Sequence, residues 1–150
     1  MQARLARNRP GAQAGTMQAA AILETVLYAP DLAEAEAFYT RVFGLPVVSR
    51  LEGKFVFLRC GAGMLLIFDP AQSAAPNPGN PIPRHGARGA GHVCFAARDG
   101  EEVARWAAHF EALGIAIEAD HIWPGGARSL YIRDPADNSV EVGEPRMWGL

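Results

Sequence analysis

The sequence predicts an α+β fold in which two tandem βαβββ units form a curved mixed sheet around an open cup. Two observations support this: a strand followed by a capped helix occurs twice, and a segment rich in proline and glycine separates the two occurrences. The occurrences are offset by 68 positions at three paired sites, Glu24 with His92, Asp31 with Asp99, and Glu34 with Glu102. A fixed internal offset of this kind indicates a duplicated structural unit.

The first unit, residues 21–70, begins with a predicted strand at 22–29 that is rich in β-branched and aromatic residues. Asp31 then opens a helix, and Glu34 completes a capping box. Apolar residues recur at helical spacing after this cap, and Gly44 is expected to end the helix. Three more strands are predicted, separated by turns that contain glycine, at 47–51, 54–60 and 64–68.

Residues 71–89 have no periodicity and are predicted to link the two units, because connections inside a compact domain are shorter. The second unit, residues 90–145, repeats the order of the first. A strand at 93–97 leads into a helix capped by Asp99, with Gly114 as the expected C-terminal cap. Later strands are predicted at 115–118, 129–133 and 139–142, with a tight turn at 134–138.

Composition narrows the function classes. The chain has 150 residues and a net charge of −2, enough for one domain with a core, and it has no basic patch, so nucleic acid is not an expected partner. No apolar run approaches the roughly 20 residues that span a bilayer, so no membrane partner is expected. Cys60 and Cys94 lie in predicted strands and are expected to be buried inert thiols of a cytoplasmic protein.

The N-terminal residues 1–20 show no apolar period and are predicted to be a disordered tail. Three arginines in the first nine residues leave a targeting peptide open as an alternative. Met17 is an alternative start of the protein, and the sequence does not decide between these readings.

Two sequence motifs in unit two add to the evidence from the duplication. The strand of unit two opens with Gly-His-Val-Cys-Phe, and its last turn and strand read Asp-Pro-Ala-Asp-Asn-Ser-Val-Glu, ending at Glu141. With the duplicated unit, these motifs resemble the vicinal oxygen chelate superfamily, over about residues 22–145. That superfamily includes glyoxalase I, extradiol dioxygenases, certain epimerases, and the bleomycin- and fosfomycin-resistance proteins.

The resemblance implies that metal ligands project into the cup from the first and last strands of each unit. Carried over by position, these slots hold Glu24, either Leu66 or Ile67, His92 and Glu141. The aliphatic slot departs from the four ligands of glyoxalase I. The glutamate at position 24 departs from the two histidines and one carboxylate of extradiol dioxygenases.

A three-ligand site of Glu24, His92 and Glu141 is therefore expected, holding a divalent Mn, Fe, Ni or Zn ion with positions left for water and substrate. Glu24 and Glu141 are also candidates for a catalytic base. The alternatives are a solvent-facing strand glutamate and a structural histidine.

Several other side chains are expected near the cup and are candidates for substrate contact: Ser129, Tyr131, Arg128, His85, His121, Trp123 and Trp148. Alternation places Ser129 and Tyr131 on one strand face. Arg128 would suit an anionic substrate, the two histidines are expected in loops, and the tryptophans would form apolar walls. Ordinary surface positions remain the alternative for these residues.

Two functions follow from the resemblance. The first is metal-dependent catalysis, of the lyase, isomerase or dioxygenase type, on a small substrate with adjacent oxygens. The alternative is a binding protein that sequesters a small molecule without chemistry, as the resistance proteins do. The resemblance also implies a homodimer, with or without exchange of units.

Overall fold

The structure, a computed structural model, describes residues 17–150. The tail predicted at 1–20 falls mostly on residues 1–16, which lie outside the described part of the chain. The elements in chain order are β1 (Glu24–Tyr28), α1 (Leu32–Phe43), β2 (Val47–Leu51), β3 (Phe55–Cys60), β4 (Gly63–Phe68), α2 (Pro70–Ala74), β5 (His92–Ala96), α3 (Gly100–Ala112), β6 (Ala119–Ile122), β7 (Arg128–Arg133), β8 (Ser139–Gly143) and a 3-10 helix (Pro145–Trp148). None of the helices in this part is long and apolar enough to cross a bilayer.

The strands form two four-stranded mixed sheets with the same topology. Their orders are β1-β4-β3-β2 and β5-β8-β7-β6. In each sheet the first strand in chain order pairs with the fourth in parallel, and the other neighbouring strands are antiparallel. The α+β fold built from two βαβββ units is thus confirmed, and the sheets are open rather than closed into a barrel.

The predicted helix caps account for where α1 and α3 begin. The Asp31 carboxylate accepts the Glu34 N–H at 3.0 Å, and the Asp99 carboxylate accepts the Glu102 N–H at 2.8 Å. Each bond satisfies a donor that the first helical turn leaves unpaired. Gly44 ends α1 in the left-handed conformation, with a φ of 64°.

Several strand ends shift by one or two residues, and three other features differ from the sequence prediction. The strand predicted at 115–118 is an extended connection, and β6 lies at Ala119–Ile122. The apolar alternation at Ile115 and Ile117 reflects packing against the core rather than pairing in the sheet. The C-terminal cap of α3 is Leu113, and Gly114 follows it with a φ of 68°. The segment after β4 also begins with a short helix, α2, which Asp69 caps.

Each sheet has a helix-covered face and an open face. Along β3, Val56 and Leu58 are buried in the core, whereas Phe55, Phe57 and Arg59 alternate with them and point to the other side. Cross-strand partners share a face, so the register assigns every strand residue to one side. We call the side of each sheet away from the helices its open face.

The two units meet at an aromatic seam on the helix side. Phe43, the last residue of α1, stacks on Phe95 of β5 with ring centroids 4.4 Å apart. It also lies 5.4 Å from Trp106 and 6.0 Å from Phe110, both in α3. Aromatic pairs at these distances stabilise beyond the area they bury. The seam therefore fixes the end of α1 against unit two.

A buried carboxylate completes the joint between the units. Asp134, only 6% exposed, accepts the Tyr39 hydroxyl at 2.8 Å and the Asn138 side-chain amide at 2.9 Å. Two backbone N–H groups of its own turn donate to its other oxygen at 2.9 and 2.8 Å. Asn138 also donates to the Tyr28 carbonyl at 3.2 Å and accepts the Gly91 N–H at 2.7 Å. This network ties β1 and α1 of unit one to the start of β5 and the β7–β8 turn of unit two.

Replacing Tyr39 by Phe should destabilise the protein. Burial and the adjacent Asp134 carboxylate raise the pKa of the Tyr39 phenol, so the hydroxyl is a donor at every working pH. Losing a donor to a buried carboxylate costs about 1.5–3 kcal/mol in the free energy of unfolding, which urea denaturation measures.

Tyr28→Phe is the matched control. Its hydroxyl bonds His85 at 2.8 Å in an exposed setting, so its removal should cost less than about 1 kcal/mol. Equal losses for the two variants would contradict the central role given to the Tyr39 hydroxyl.

Candidate active site on the open sheet faces

The open face of unit two is polar, and the register arranges it in three rows. The first row holds His92, Ser139 and Arg133, on neighbouring strands. In the second row Glu141 of β8 stands between Cys94 of β5 and Tyr131 of β7. The third row holds Ala96, Gly143, Ser129 and His121. The carboxylate of Glu141 is at the centre of this surface.

Glu141 is a buried carboxylate with one unused oxygen. The residue is 5% exposed, and its Oε1 has no hydrogen-bond partner among residues 17–150. Gly143 borders this oxygen, and a Cβ added there would lie 3.0 Å from Oε1 and 2.9 Å from Ser129 Oγ. An unpaired buried carboxylate oxygen is costly. Its presence beside a residue without a side chain indicates a site for a ligand.

His92 meets the other oxygen of that carboxylate. Its Nε2 lies 3.2 Å from Glu141 Oε2, and its Nδ1 lies 3.2 Å from Ser139 Oγ. The ring is half exposed. If Nδ1–H donates to Ser139, Nε2 keeps its lone pair beside Glu141, which is the tautomer that a metal-ligating histidine needs.

Two other ionisable groups flank Glu141, and both are held in their neutral forms. Desolvation and the neighbouring Glu141 carboxylate raise the pKa of the Cys94 thiol to about 12. Desolvation and the same carboxylate raise the pKa of the Tyr131 phenol to about 12. At neutral pH this surface therefore presents a protonated thiol and a protonated phenol around one carboxylate.

The third row is closed by the predicted wall residue Trp123. Its Nε1–H donates to Ser129 Oγ at 2.9 Å, and the Ser129 hydroxyl donates to Met147 Sδ at 3.7 Å. His121, expected in a loop, instead lies in β6, with its ring 4.7 Å from the Trp123 ring. Ser129 is consequently buried rather than free to contact a substrate directly.

The open face of unit one is mostly apolar. Its first row holds Glu24, Met64 and Arg59, its second Val26, Leu66 and Phe57, and its third Tyr28, Phe68 and Phe55. Leu66 lies between Val26 and Phe57 as Glu141 lies between Cys94 and Tyr131. The aliphatic slot implied by the resemblance is therefore Leu66, while Ile67 is a core residue.

Glu24 lies on this open face and is exposed. It lines a shallow cavity with Cys94 and Phe95, and not with His92 or Glu141. Within residues 17–150, no three His, Cys, Asp or Glu side chains come together so that they could hold a metal ion. The contact between β1 and β5 gives the reason. The start of β5 lies beside the end of β1, because Asn138 and Gly91 contact Tyr28 and Leu27. Four residues of strand, about 13 Å, separate Tyr28 from Glu24.

The remaining candidates lie at other places. His85 is brought from the linker onto the third row of unit one, where its Nδ1 is 2.8 Å from the Tyr28 hydroxyl and its ring packs edge-on against Phe68. Arg128 alternates with Ser129, so it points away from the open face, and two of its nitrogens bind Asp120 at 2.8 and 2.6 Å. Trp148 is in the 3-10 helix and is 76% exposed.

Cys94 corrects a sequence prediction. It was expected to be a buried inert thiol, but it is an exposed residue in the same row as Glu141. The signal was its position two residues after His92, which alternation places on the same face. Arg59 and Gly143 also lie on the open faces and were not singled out from the sequence.

Comparison with known proteins agrees with this architecture. A family model described as Glyoxalase/Bleomycin resistance protein/Dioxygenase superfamily matches residues 21–142. The chain belongs to this superfamily.

Three solved structures are similar to this chain to different degrees. A structure described as lactoylglutathione lyase from Agrobacterium tumefaciens is 57% identical, with a TM-score of 0.88, over 89% of this chain and 100% of that chain. A glyoxalase/bleomycin resistance protein/dioxygenase from Nocardioides is 21% identical, with a TM-score of 0.68, over 87% of this chain and 86% of that one. The fosfomycin resistance protein FosX from Listeria monocytogenes is 20% identical, with a TM-score of 0.61, over 85% and 94%. The last two show the fold alone.

The thiol of Cys94 should react slowly with iodoacetamide in protein freed of metal by a chelator. Because its pKa is raised to about 12, the thiolate is scarce at pH 8, and the rate should be at least about tenfold below that of free cysteine. The rate should climb from pH 8 to pH 10 without a plateau. Mass spectrometry of a Cys60→Ser background reads Cys94 alone.

Glu141→Gln in the same background removes the adjacent negative charge, so the pKa of Cys94 should fall and alkylation should accelerate. A plateau below pH 9 in the parent, or no acceleration in the Glu141 variant, would show that the carboxylate does not control this thiol.

Proposed function

We propose that this protein is a metal-dependent enzyme of the glyoxalase type that acts on the adduct of glutathione with a 2-oxoaldehyde and forms a 2-hydroxyacyl thioester such as lactoylglutathione. The unpartnered Glu141 Oε1, beside His92 on an open sheet face, is the observation that carries the proposal. The 57% identity to the lactoylglutathione lyase of Agrobacterium tumefaciens supports the substrate class.

The residues of the open faces fit a divalent metal ion. His92 Nε2 and the Glu141 carboxylate are adjacent, and Ser139 can hold the histidine in the required tautomer. One imidazole and two carboxylates suit Mn, Fe, Ni or Zn. Bound there, the ion would act as a Lewis acid toward two adjacent oxygens of the substrate.

The third ligand, Glu24, is proposed to come from a second copy of the chain. Within one chain the start of β5 lies beside the end of β1, which keeps Glu24, at the start of β1, away from His92 and Glu141. A two-fold dimer that brings the open face of unit one against the open face of unit two of its partner would form two equal sites. Each site would then combine the carboxylate of Glu24 with the His92–Glu141 pair.

The protein groups themselves suit the proton transfer that this reaction needs. The adduct must lose a proton from the carbon that bore the aldehyde hydrogen and gain one at the neighbouring carbon. A buried carboxylate with a free oxygen, Glu141, or the exposed Glu24 can take that proton and return it. The Tyr131 phenol stays protonated and can donate a hydrogen bond to a substrate oxygen. The apolar second row of unit one excludes water from that side.

Mixing two inactive variants tests the shared site. Glu24→Gln and His92→Ala should each lower turnover of the methylglyoxal–glutathione adduct by about 100-fold or more, because the first removes a charged carboxylate that is also a candidate base and the second removes a ligand. In a randomly mixed dimer population, half of the dimers carry both chains, and one of their two sites is intact. Co-expression should therefore restore about one quarter of the wild-type rate.

His92→Ala mixed with Glu141→Gln is the matched control, since both changes damage the same half of the site and no mixed dimer can be repaired. A Glu24/His92 mixture as inactive as its parents would refute the shared site. Full activity of either single variant would refute the role given to that residue, and unchanged turnover after metal removal would refute metal-dependent catalysis. Ligand binding that survives metal removal without turnover would instead favour the sequestration alternative.

A further inference from the structure

The duplication places two arginines at corresponding points of the two open faces. Arg133 is the cross-strand partner of Ser139, which in turn neighbours His92. Arg59 is the cross-strand partner of Met64, which neighbours Glu24. Each arginine therefore ends the row that begins with a proposed metal ligand.

The two arginines differ in whether a carboxylate neutralises the guanidinium charge. Arg133 is held by Glu118, with contacts of 2.5 Å from Nε and 2.9 Å from NH2, and it also donates to the Asp137 carbonyl at 3.1 Å. Arg59 has no ion pair and no side-chain hydrogen bond among residues 17–150. Its backbone neighbour is Pro46, the residue before β2, whose carbonyl accepts the Arg59 N–H at 3.0 Å and which carries no charge.

Arg59 is thus an exposed guanidinium on an otherwise apolar surface. The rest of that open face consists of aliphatic, thioether and aromatic side chains, apart from Glu24 and the Tyr28–His85 pair. Other arginines near the sheets are engaged, since Arg50 binds Glu36 at 2.7 Å and Arg128 binds Asp120. A cation without a carboxylate partner beside a ligand site is suited to an anionic group of the ligand.

The position of Arg59 in the sheet sets the distance between a bound anionic group and the reacting atoms of the substrate. Two strand spacings separate Glu24 from Arg59, so their Cα atoms lie about 10 Å apart. Both side chains project from the same face, with Met64 between them. A substrate whose oxygens lie near the Glu24 carboxylate can place an acidic group a few bonds away against the guanidinium.

We infer that Arg59 is a specificity-determining residue that binds a carboxylate of the substrate at the edge of the composite site. The inference rests on the proposed function, because it takes Glu24 as part of the site. It deepens that function by requiring an anionic substrate, and glutathione adducts carry two carboxylates.

The test compares the methylglyoxal adduct of glutathione with that of glutathione diethyl ester, in which both carboxylates are blocked. The wild-type metal-loaded dimer should prefer the acid at least about tenfold in kcat/KM. Arg59→Leu should lower this preference to less than about twofold, mainly through a higher KM for the acid, and Arg59→Lys should keep part of it. Metal content should equal that of the wild type in both variants.

Arg50→Leu is the matched control, since it removes an arginine from the neighbouring strand of the same sheet, and Arg50 pairs with the buried Val56 on the helix side. It should keep the wild-type preference. An Arg59→Leu enzyme that still prefers the acid would overturn the inference and leave the proposed function standing. A wild-type protein that neither turns over nor binds either adduct would overturn the proposed function and this inference with it.

Discussion

The buried carboxylate of Asp134 is the constraint on which the arrangement of the two units depends. Among residues 17–150 it has no cationic partner within hydrogen-bond distance, and four donors that surround it stabilise its charge. One donor is the Tyr39 hydroxyl of unit one, and the rest belong to its own turn. A shift between the units would leave a buried charge short of a donor. The network therefore selects one placement of the units.

That placement has a direct consequence for chemistry. The Asp134 turn leads into β8, so the network also fixes the strand that carries Glu141. Asn138, in the same turn, holds the start of β5 against the end of β1. The two strands consequently run side by side in opposite directions. The equivalent residues Glu24 and His92 therefore end up at opposite ends of the line along which β1 and β5 meet, and within residues 17–150 they do not come together.

The sequence predicts the local features well and the assembly poorly, for physical reasons. Caps such as Asp31 and Asp99 are decided within one helical turn, and the 68-residue offset exposes the duplication, so both were predictable. The strand at 115–118 was misplaced because apolar alternation reports burial, and Ile117 is half-buried against the core without pairing in the sheet. Convergence of Glu24 with His92 could not be judged, since it depends on the direction of β1 relative to β5.

The divergence of the two open faces supports a composite site. At corresponding positions unit one has Val26, Leu66 and Phe57 where unit two has Cys94, Glu141 and Tyr131. Two faces of unit two brought together would set one buried carboxylate against another, and like charges in such a place repel strongly. Two faces of unit one would form an apolar contact without a catalytic group. A pair made of one unit-one face and one unit-two face gives the Glu141 carboxylate an apolar wall, and it leaves Glu24 facing the His92 imidazole. The division of polar and apolar residues between the repeats therefore favours unit one of one copy against unit two of another.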